Sequence, residues 1–223
     1  MIDIYRCPQC LNESSREATL GTPAGISKQW SDGLWNNENP INCRLARCPH
    51  CESVFWLDSA KRRKGEPATR FEVVSFGDLR VVPNEKYEGL PFLQAARNEE
   101  LLGAIKAPPS LADVHYLWRE LWRRCNHPDR GIDIDFGQPI SAQLRETILR
   151  TVLAQEESKA SDRRDVVIEA ELLRELGLFD AAVQRMEMAV CAGAARALAI
   201  HAQAIAGNTT VCVVRENDAV VII

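Results

Sequence analysis

The chain has 223 residues, of which 46% are apolar and 26% charged, and its formal net charge is −4. This composition is ordinary for a globular protein and excludes a disordered or fibrous chain. The sequence contains neither an apolar run of about 18 residues, as a membrane-spanning helix needs, nor the basic start and apolar core of a secretory signal. We therefore expect a cytoplasmic protein with no membrane partner.

Two Cys-Pro-x-Cys steps are the first chemical feature along the chain, Cys7-Pro8-Gln9-Cys10 and Cys48-Pro49-His50-Cys51. Two cysteines at this spacing on a tight turn can bring both sulfurs to one metal at about 2.3 Å, and a second such turn completes the tetrahedral shell that structural zinc prefers. The proline stiffens each turn. The sequence therefore predicts one structural Zn²⁺, without catalytic chemistry at the metal, held by Cys7, Cys10, Cys48 and Cys51.

Two further residues leave an alternative ligand set open. Cys43 and His50 lie close to the second step, and either of them can in principle replace one of the four cysteines. Free thiols or disulfides are another alternative. The cysteines outside the two steps are scattered, which fits a reducing compartment better than a disulfide framework; they are Cys43, Cys125, Cys191 and Cys212.

The segments that flank the two steps have the pattern of β-strands. Alternation in residues 2–5 predicts a strand that enters the first turn, and the apolar-rich run 52–57 predicts a strand that leaves the second. Two hairpin tips closed by one ion are typical of a zinc ribbon. The sequence therefore predicts a zinc-ribbon-like domain over residues 1–70.

A long insertion interrupts this predicted ribbon. Cys10 and Cys48 are separated by 37 residues, which is more than the usual ribbon spacing. Residues 11–42 are rich in Gly, Pro, Ser and Asn, so we expect an inserted loop with turns rather than a helix. The predicted core of this small domain contains Trp30, Trp35 and Trp56.

Charge is divided unevenly along the chain. Residues 1–70 carry 10 Lys/Arg against 8 Asp/Glu, a net charge of +2, whereas residues 71–223 carry 17 against 23, a net charge of −6. Only Lys61-Arg62-Arg63-Lys64 concentrates positive charge in the way that a phosphate backbone attracts. We interpret this run as a solvated linker, with nucleic-acid binding as the alternative.

A change of pattern predicts two further parts of the chain. Two short strand-like runs, 71–76 and 79–82, are broken by Gly77-Asp78 and predict a connecting β-hairpin over residues 71–91. From residue 92 to residue 223 the apolar residues recur mainly at helical spacing. The predicted fold class is therefore α+β, with a small β zinc ribbon followed by a domain of α-helical hairpins.

The helices of residues 92–223 have start and stop signals. Ser110 is a predicted N-cap, Ser141 is predicted to begin a second helix, and Asp162 is predicted to begin a third helix that Gly177 ends. Two more helices are expected over residues 180–192 and 194–206, and two terminal strands over residues 210–214 and 219–223.

The segment 170–189 resembles a tetratricopeptide repeat. Gly177 falls at the turn, Phe179 at the aromatic position that opens the second helix, and Ala182 and Ala189 at the small packing positions. The resemblance implies a helical hairpin and a concave surface for a protein partner. About three repeats are needed for stability, so the helices at 110–126 and 141–157 are expected to supply partners, although they lack the signature residues of the repeat.

The whole chain also resembles a group of uncharacterised bacterial proteins. In that group a cysteine-rich ribbon, with a Trp-containing insertion and a Phe-Trp pair after the second Cys-Pro-x-Cys, precedes a repeat-like helical region. The matching residues here are Phe55 and Trp56. The resemblance implies an architecture and carries no activity.

A search for catalytic motifs gives one weak candidate. His127 lies in Cys125-Asn126-His127-Pro128-Asp129-Arg130-Gly131, near Asp133 and Asp135, and a Cys/His pair can form a nucleophile and base. The same residues describe an ordinary helix stop and loop, so no catalytic or cofactor-binding residue is predicted. The sequence favours a non-enzymatic zinc-binding adaptor that binds a protein partner through its helical domain, with a nucleic-acid-binding zinc ribbon as the alternative.

Overall fold

The computed structural model describes most of the chain. The described residues are 2–17, 28–34, 44–64, 69–75, 78–83, 89–131, 134–160, 163–191, 195–216 and 219–220.

The chain divides into two compact units. The first, here the amino-terminal unit, comprises Met1–Gly21 and Asn39–Ala96; the second, the helical unit, comprises Thr22–Glu38 and Arg97–Ile223. The predicted α+β class is confirmed, because the first unit contains small β-sheets and the second contains the helices.

The strands, numbered in chain order, are β1 (Ile2–Arg6), β2 (Glu13–Glu17), β3 (Lys28–Trp30), β4 (Leu45–Arg47), β5 (Val54–Trp56), β6 (Lys61–Lys64), β7 (Thr69–Ser75), β8 (Asp78–Pro83), β9 (Gln94–Ala95), β10 (Val213–Glu216) and β11 (Ala219–Val220).

Hairpins form the amino-terminal unit. Strands β1 and β2 pair antiparallel with Arg6 opposite Glu13, and β4 and β5 pair antiparallel with Arg47 opposite Val54. The sheets have the strand orders β2-β1-β6 and β5-β4-β9. The predicted hairpin after residue 70 is present as the antiparallel pair β7–β8, while the turn residues 76 and 77 lie outside the described residues.

Strand β6 corrects the interpretation of the basic run. Lys61–Lys64 pairs with β1 in antiparallel register, with Lys61 opposite Arg6, so this run is an edge strand and not a linker. Lysine and arginine are common on edge strands because charge discourages pairing with other chains.

The core of the amino-terminal unit is small and includes two of the cysteines. One cluster of its buried residues contains Tyr5, Cys7, Ala46, Cys48, Phe55, Leu57 and Leu93. The prediction of a tryptophan core is wrong here, because Trp30 lies in the helical unit and Trp56 is only half-buried. Trp35 lies outside the described residues.

The helical unit contains α1 (Asn98–Ile105), α2 (Leu111–Cys125), α3 (Ala142–Glu157), α4 (Val166–Glu175), α5 (Phe179–Cys191) and α6 (Ala195–Ile205). The predicted N-cap Ser110 is confirmed, because it accepts from the Asp113 N–H. The predicted helix start at Ser141 is confirmed as well, and Ser141 caps the helix by accepting from the Leu144 N–H. Helix α4 starts later than predicted, because Asp165 caps it by accepting from the N–H groups of Val167 and Ile168. Asp162 lies outside the described residues.

The hairpin of α4 and α5 turns at a glycine. Gly177 has φ +75, and its N–H donates to Arg174 O while the Leu178 N–H donates to Leu173 O. These two bonds are those of a Schellman stop, in which the left-handed residue is most often glycine. Ala182 on α5 is fully buried against Leu173, which agrees with the small residue expected there.

Part of the predicted insertion belongs to the helical unit. Strand β3 pairs antiparallel with β10, with Val213 opposite Trp30, in a sheet of order β11-β10-β3. The first terminal strand lies later than the predicted 210–214, at Val213–Glu216. The second is described at Ala219–Val220, and residues 221–223 lie outside the described residues. A search of the described residues for a helix long and apolar enough to cross a membrane finds none.

Candidate metal centre

Each Cys-Pro-x-Cys step forms the tip of a hairpin, with the same backbone pattern in both. The Cys7 N–H donates to Asn12 O and the Leu11 N–H donates to Cys7 O, at 3.0 and 2.9 Å. The Cys48 N–H donates to Ser53 O and the Glu52 N–H to Cys48 O, each at 2.9 Å. The chain is thereby folded twice into one turn geometry, which we call a knuckle: knuckle 1 is residues 7–12 and knuckle 2 is residues 48–53.

A left-handed residue closes each knuckle. Leu11 has φ 64 and Glu52 has φ 60, and both follow the second cysteine of their step. For residues other than glycine this conformation costs roughly 1–2 kcal/mol. Among the described residues these are the non-glycine positions with positive φ, so the strain is confined to the two knuckles.

The knuckles bring four sulfurs together. The Sγ atoms of the predicted ligands all lie within 4.8 Å of one another. Cys7 Sγ is 3.8 Å from Cys51 Sγ, and Cys10 Sγ is 3.7 Å from Cys48 Sγ, so these two contacts join one knuckle to the other. Four cysteines therefore form a site that could bind a metal ion, and they are Cys7, Cys10, Cys48 and Cys51.

Ser53 is a hydrogen-bond partner of the sulfurs that sequence reasoning missed. Its Oγ lies 3.1 Å from Cys51 Sγ and 3.4 Å from Cys7 Sγ. Burial alone would raise the pKa of the Cys7 thiol, but hydrogen bonds from Ser53 and from backbone N–H groups lower that pKa to about 6. Burial raises the pKa of Cys48 to about 12. The two buried thiols of the cluster thus have pKa values displaced in opposite directions.

Of the two alternative ligands, His50 is described and is not part of this cluster. His50 Nε2 lies 3.2 Å from the carbonyl oxygen of Glu13, so the ring links knuckle 2 to strand β2. Cys43 lies outside the described residues. The described cysteines and histidines therefore give one set of ligands, with a sulfur from each of four cysteines.

The Cys125/His127 candidate is not an activated pair. Burial raises the pKa of Cys125 to about 12, so its thiol is neutral at pH 7. Burial and the neighbouring Arg124 lower the pKa of His127 to about 4, so its imidazole is neutral as well. Asp135 accepts a hydrogen bond from the Gly137 N–H in its own loop, and Asp133 lies outside the described residues.

Sequence reasoning also missed a buried polar network in the helical unit. Glu171 and Arg174 on α4 form an ion pair in which both side chains are 0% exposed. Glu175 accepts from Trp122 Nε1 at 3.0 Å and from Asn126 Nδ2 at 3.1 Å. In sequence, Glu and Arg at a spacing of three residues are typical of a solvated helix face. Only the burial seen in the structure distinguishes this network from such a face.

Comparison with known proteins adds no relative. A scan of family models, a search of curated proteins and a search of solved structures each found no match to this chain. The resemblances to a zinc ribbon and to a tetratricopeptide repeat therefore stay predictions.

Proposed function

We propose that this chain is a non-enzymatic adaptor that contains a structural zinc ion and binds a protein partner through its helical unit. The observation that carries the zinc assignment is the spacing of the sulfurs. A Zn²⁺ ion about 2.3 Å from each of four tetrahedral thiolates requires sulfur–sulfur distances of about 3.8 Å. Two pairs across the knuckles, at 3.7 and 3.8 Å, match that value.

The role of this ion is structural. Four protein sulfurs complete the tetrahedral shell, whereas catalytic zinc keeps one position for water or substrate. Ser53 would hold two of the sulfurs through its hydroxyl, as outer-shell partners of metal ligands do. In this proposal the amino-terminal unit is a zinc ribbon. Its cysteines hold the ion, and the ion catalyses no reaction.

An exposed groove on the helical unit supports the partner-binding part of the proposal. The groove, of about 560 Å³, lies between α5 and α6 and is lined by Phe179, Val183 and Ile205. Ile205 is 68% exposed, and Asp180 and Glu187 border the same groove. An apolar floor with acidic edges suits an amphipathic helix that carries basic residues.

Elemental analysis of the purified chain tests the zinc assignment. We expect one zinc per wild-type chain and loss of that zinc in Cys7→Ser and Cys48→Ser. Cys125→Ser is the matched control, because Cys125 lies in the helical unit and should leave the zinc content unchanged. A wild-type chain without stoichiometric zinc after gentle purification would overturn the assignment.

Affinity purification from the native host, followed by direct binding of the identified partner, tests the adaptor assignment. Ile205→Glu should abolish binding, because it places a charge on the apolar floor of the groove, where the apolar face of the partner helix is expected to pack. Leu111→Glu is the control, since Leu111 is similarly exposed, at 71% against 68%, but lies on α2 away from the groove. Equal loss in both variants, or turnover of a substrate without any partner, would contradict the proposal.

One observation favours nucleic-acid binding as a second candidate function. Strand β6 places four consecutive basic residues, Lys61–Lys64, at the edge of a sheet in the amino-terminal unit. Binding through phosphates would weaken steeply with salt. Neutralising all four residues should then reduce the salt dependence, whereas no binding to single or double strands at low ionic strength removes this candidate.

A further inference from the structure

The four cysteines of the candidate metal centre differ in how far solvent can reach them. Cys7 and Cys48, the first cysteine of each step, are 1% and 0% exposed. Cys10 is half-buried, whereas Cys51 is exposed on knuckle 2. A small solute that approaches the cluster therefore has its widest access at Cys51.

Cys51 also has a sulfur of the other knuckle within reach. Its Sγ lies 3.8 Å from Cys7 Sγ, and the Ser53 Oγ lies 3.1 Å from the first of these sulfurs and 3.4 Å from the second. A disulfide needs its two sulfurs at about 2.05 Å, so a short movement of the two hairpin tips closes this pair. The fold thus places an exposed cysteine beside a buried one that can react with it.

Bound zinc would make Cys51 a nucleophile. A thiol that coordinates a metal ion is deprotonated, and the thiolate, not the thiol, is the reactive form. Cysteines that sense oxidants share thiolate character, exposure to solvent and a neighbouring cysteine that resolves the first product. Cys51 combines all three properties in the zinc-loaded chain, with Cys7 as the resolving cysteine.

Two other cysteines whose side chains the structure describes lack these properties. Burial raises the pKa of Cys125 to about 12 and also raises the pKa of Cys212, so both thiols are protonated at pH 7. Both residues lie in the helical unit, and neither belongs to the sulfur cluster. Among the described cysteines, oxidation should therefore be selective for the metal centre.

We propose that the metal centre is a peroxide-sensitive switch, in which Cys51 is oxidised first and then forms a disulfide with Cys7. This inference rests on the proposed structural zinc and adds a means by which that site is regulated. The oxidant is a hydroperoxide, of which hydrogen peroxide is the simplest.

The reaction has two steps. The Cys51 sulfur attacks one oxygen of hydrogen peroxide, the O–O bond breaks, and the hydroxide that leaves takes a proton from solvent to become water. Cys51 is then a sulfenic acid. The Cys7 sulfur attacks the Cys51 sulfur, the S–O bond breaks, and a second hydroxide leaves and is protonated. Two thiolates thus give two electrons to one peroxide, and the products are one disulfide and two waters.

This disulfide would release the ion. Disulfide sulfurs are neutral, so Cys10 and Cys48 remain as the thiolates of the cluster, and two ligands do not complete the tetrahedral shell of structural zinc. Cys7 and Cys48 also belong to the core cluster of the amino-terminal unit. We therefore expect oxidation to loosen this unit while the helical unit stays folded.

Zinc release from the full-length protein tests the switch. Zinc content is measured before peroxide is added, and a chain purified without zinc would disprove the zinc assignment on which the switch rests. In the loaded chain, hydrogen peroxide should release one zinc for each disulfide formed, as followed with a chromogenic zinc indicator. Dithiothreitol and added zinc should then restore the metal content. A loaded chain that keeps its zinc in peroxide would overturn the switch and leave the zinc assignment intact.

Mass spectrometry of tryptic peptides tests the pairing. Trypsin places the two steps in separate peptides, because an arginine directly precedes the first cysteine of each step. A disulfide between the knuckles links the two peptides, and fragmentation between the cysteines of each peptide identifies Cys7 and Cys51 as the joined residues. A disulfide within either step, or one between Cys10 and Cys48 alone, would contradict the proposed pairing.

A variant of Ser53 gives a kinetic test that retains all four sulfurs. Ser53→Ala removes the hydroxyl next to both reacting sulfurs, and a thiolate that loses a hydrogen bond is more basic and more nucleophilic. Zinc release by peroxide should therefore be about three- to tenfold faster. Ser59→Ala is the matched control and should react at the wild-type rate, because the Ser59 hydroxyl donates to Trp56 O instead of a sulfur. An unchanged rate in Ser53→Ala would show that the reacting sulfur is not Cys51.

Discussion

Leu11 and Glu52 occupy equivalent positions in the two knuckles. Each residue has a positive φ, and each follows the second cysteine of its step. Leu11 is 62% exposed, so its side chain contributes little buried area. The backbone of knuckle 1 is therefore held left-handed by the turn, with no compensating contact required from the leucine side chain.

Leu11→Gly should stabilise the amino-terminal unit by about 1 kcal/mol, because glycine adopts positive φ without the steric cost that leucine has. Hydrogen exchange of β1, β2, β4 and β5 in the metal-loaded protein, measured across a urea series, gives the change. Leu11→Ala is the control and should be close to neutral, since alanine retains a Cβ. Destabilisation by glycine would show that the leucine side chain, not the backbone, determines this turn.

His127 should make the stability of the helical unit depend on pH. Its pKa is lowered from 6.5 to about 4 in the folded chain, so the unfolded chain binds more protons between these values. The contribution of the neutral His127 ring to the free energy of unfolding is therefore complete above pH 6.5. It is lost as pH falls toward 4, and the loss is at most about 3 kcal/mol. Urea unfolding followed by far-UV circular dichroism across this range measures it. His127→Asn should have a flatter profile, and an unchanged slope would contradict the expected burial of a neutral ring.

The cluster of four cysteines could be predicted from sequence because its geometry is local. A spacing of two residues between cysteines places both on one tight turn. Two such turns form a four-sulfur cluster once they lie next to each other. The ion-pair partners Asp32 and Arg130 are 98 positions apart in the chain, and an aspartate in a polar segment or an arginine after a proline carries no signal of burial. Ser53 was missed for a different reason, since a serine two residues after a cysteine is common in any turn.

At the scale of elements, helix starts were predicted well where one capping residue stood alone. Ser110 and Ser141 each precede a periodic run and each caps a helix. Asp162 and Asp165 are both good N-cap residues, and propensity does not choose between them. The choice of Asp165 depends on α4 packing through Ala170 and Leu173, which sequence alone does not give.

Asp165→Ala should destabilise the helical unit by about 1 kcal/mol, because two N–H groups of the first turn lose their acceptor. Asp165→Asn keeps the side-chain oxygen and should cost only a few tenths of that. Far-UV circular dichroism during urea unfolding compares the two. Similar losses for alanine and asparagine would indicate that the charge of Asp165, rather than its capping oxygen, stabilises α4.

Strand β3 shows where element prediction from sequence ends. Lys28–Trp30 is three residues long in a segment rich in turn residues, so no periodicity can mark it. Its structure is defined by β10, which follows it by more than 180 residues. Sequence reasoning placed this segment with the metal ligands because it lies between them in the chain, whereas its pairing places it in the helical unit.

At the scale of the whole molecule, the two units differ in what stabilises them. The amino-terminal unit has a small core cluster of seven buried residues, two of which are candidate metal ligands. The helical unit has aliphatic clusters, such as the one around Met186 and Ile200, and a buried ion-pair network. A small core generally needs a metal or a disulfide to fold. We therefore expect the stability of the amino-terminal unit to depend on the ion more strongly than that of the helical unit.

Removal of the metal with a chelator should unfold the amino-terminal unit and leave the helical unit folded. Structural zinc contributes about 10–16 kcal/mol to small domains, more than the small cysteine-containing core could replace, whereas α2 to α6 pack without any cysteine ligand. Hydrogen exchange of the full-length chain distinguishes the units: β1, β2, β4 and β5 should lose protection, while α2, α4 and α5 should keep it.

Strand β3 is the informative segment, because it lies between the candidate ligands in sequence but pairs with β10. If β3 keeps its protection, the insertion belongs to the helical unit in solution. Cys48→Ser should reproduce the chelated state without chelator and Cys125→Ser should not. Loss of protection in all helices together would show one cooperative molecule and contradict the division proposed here.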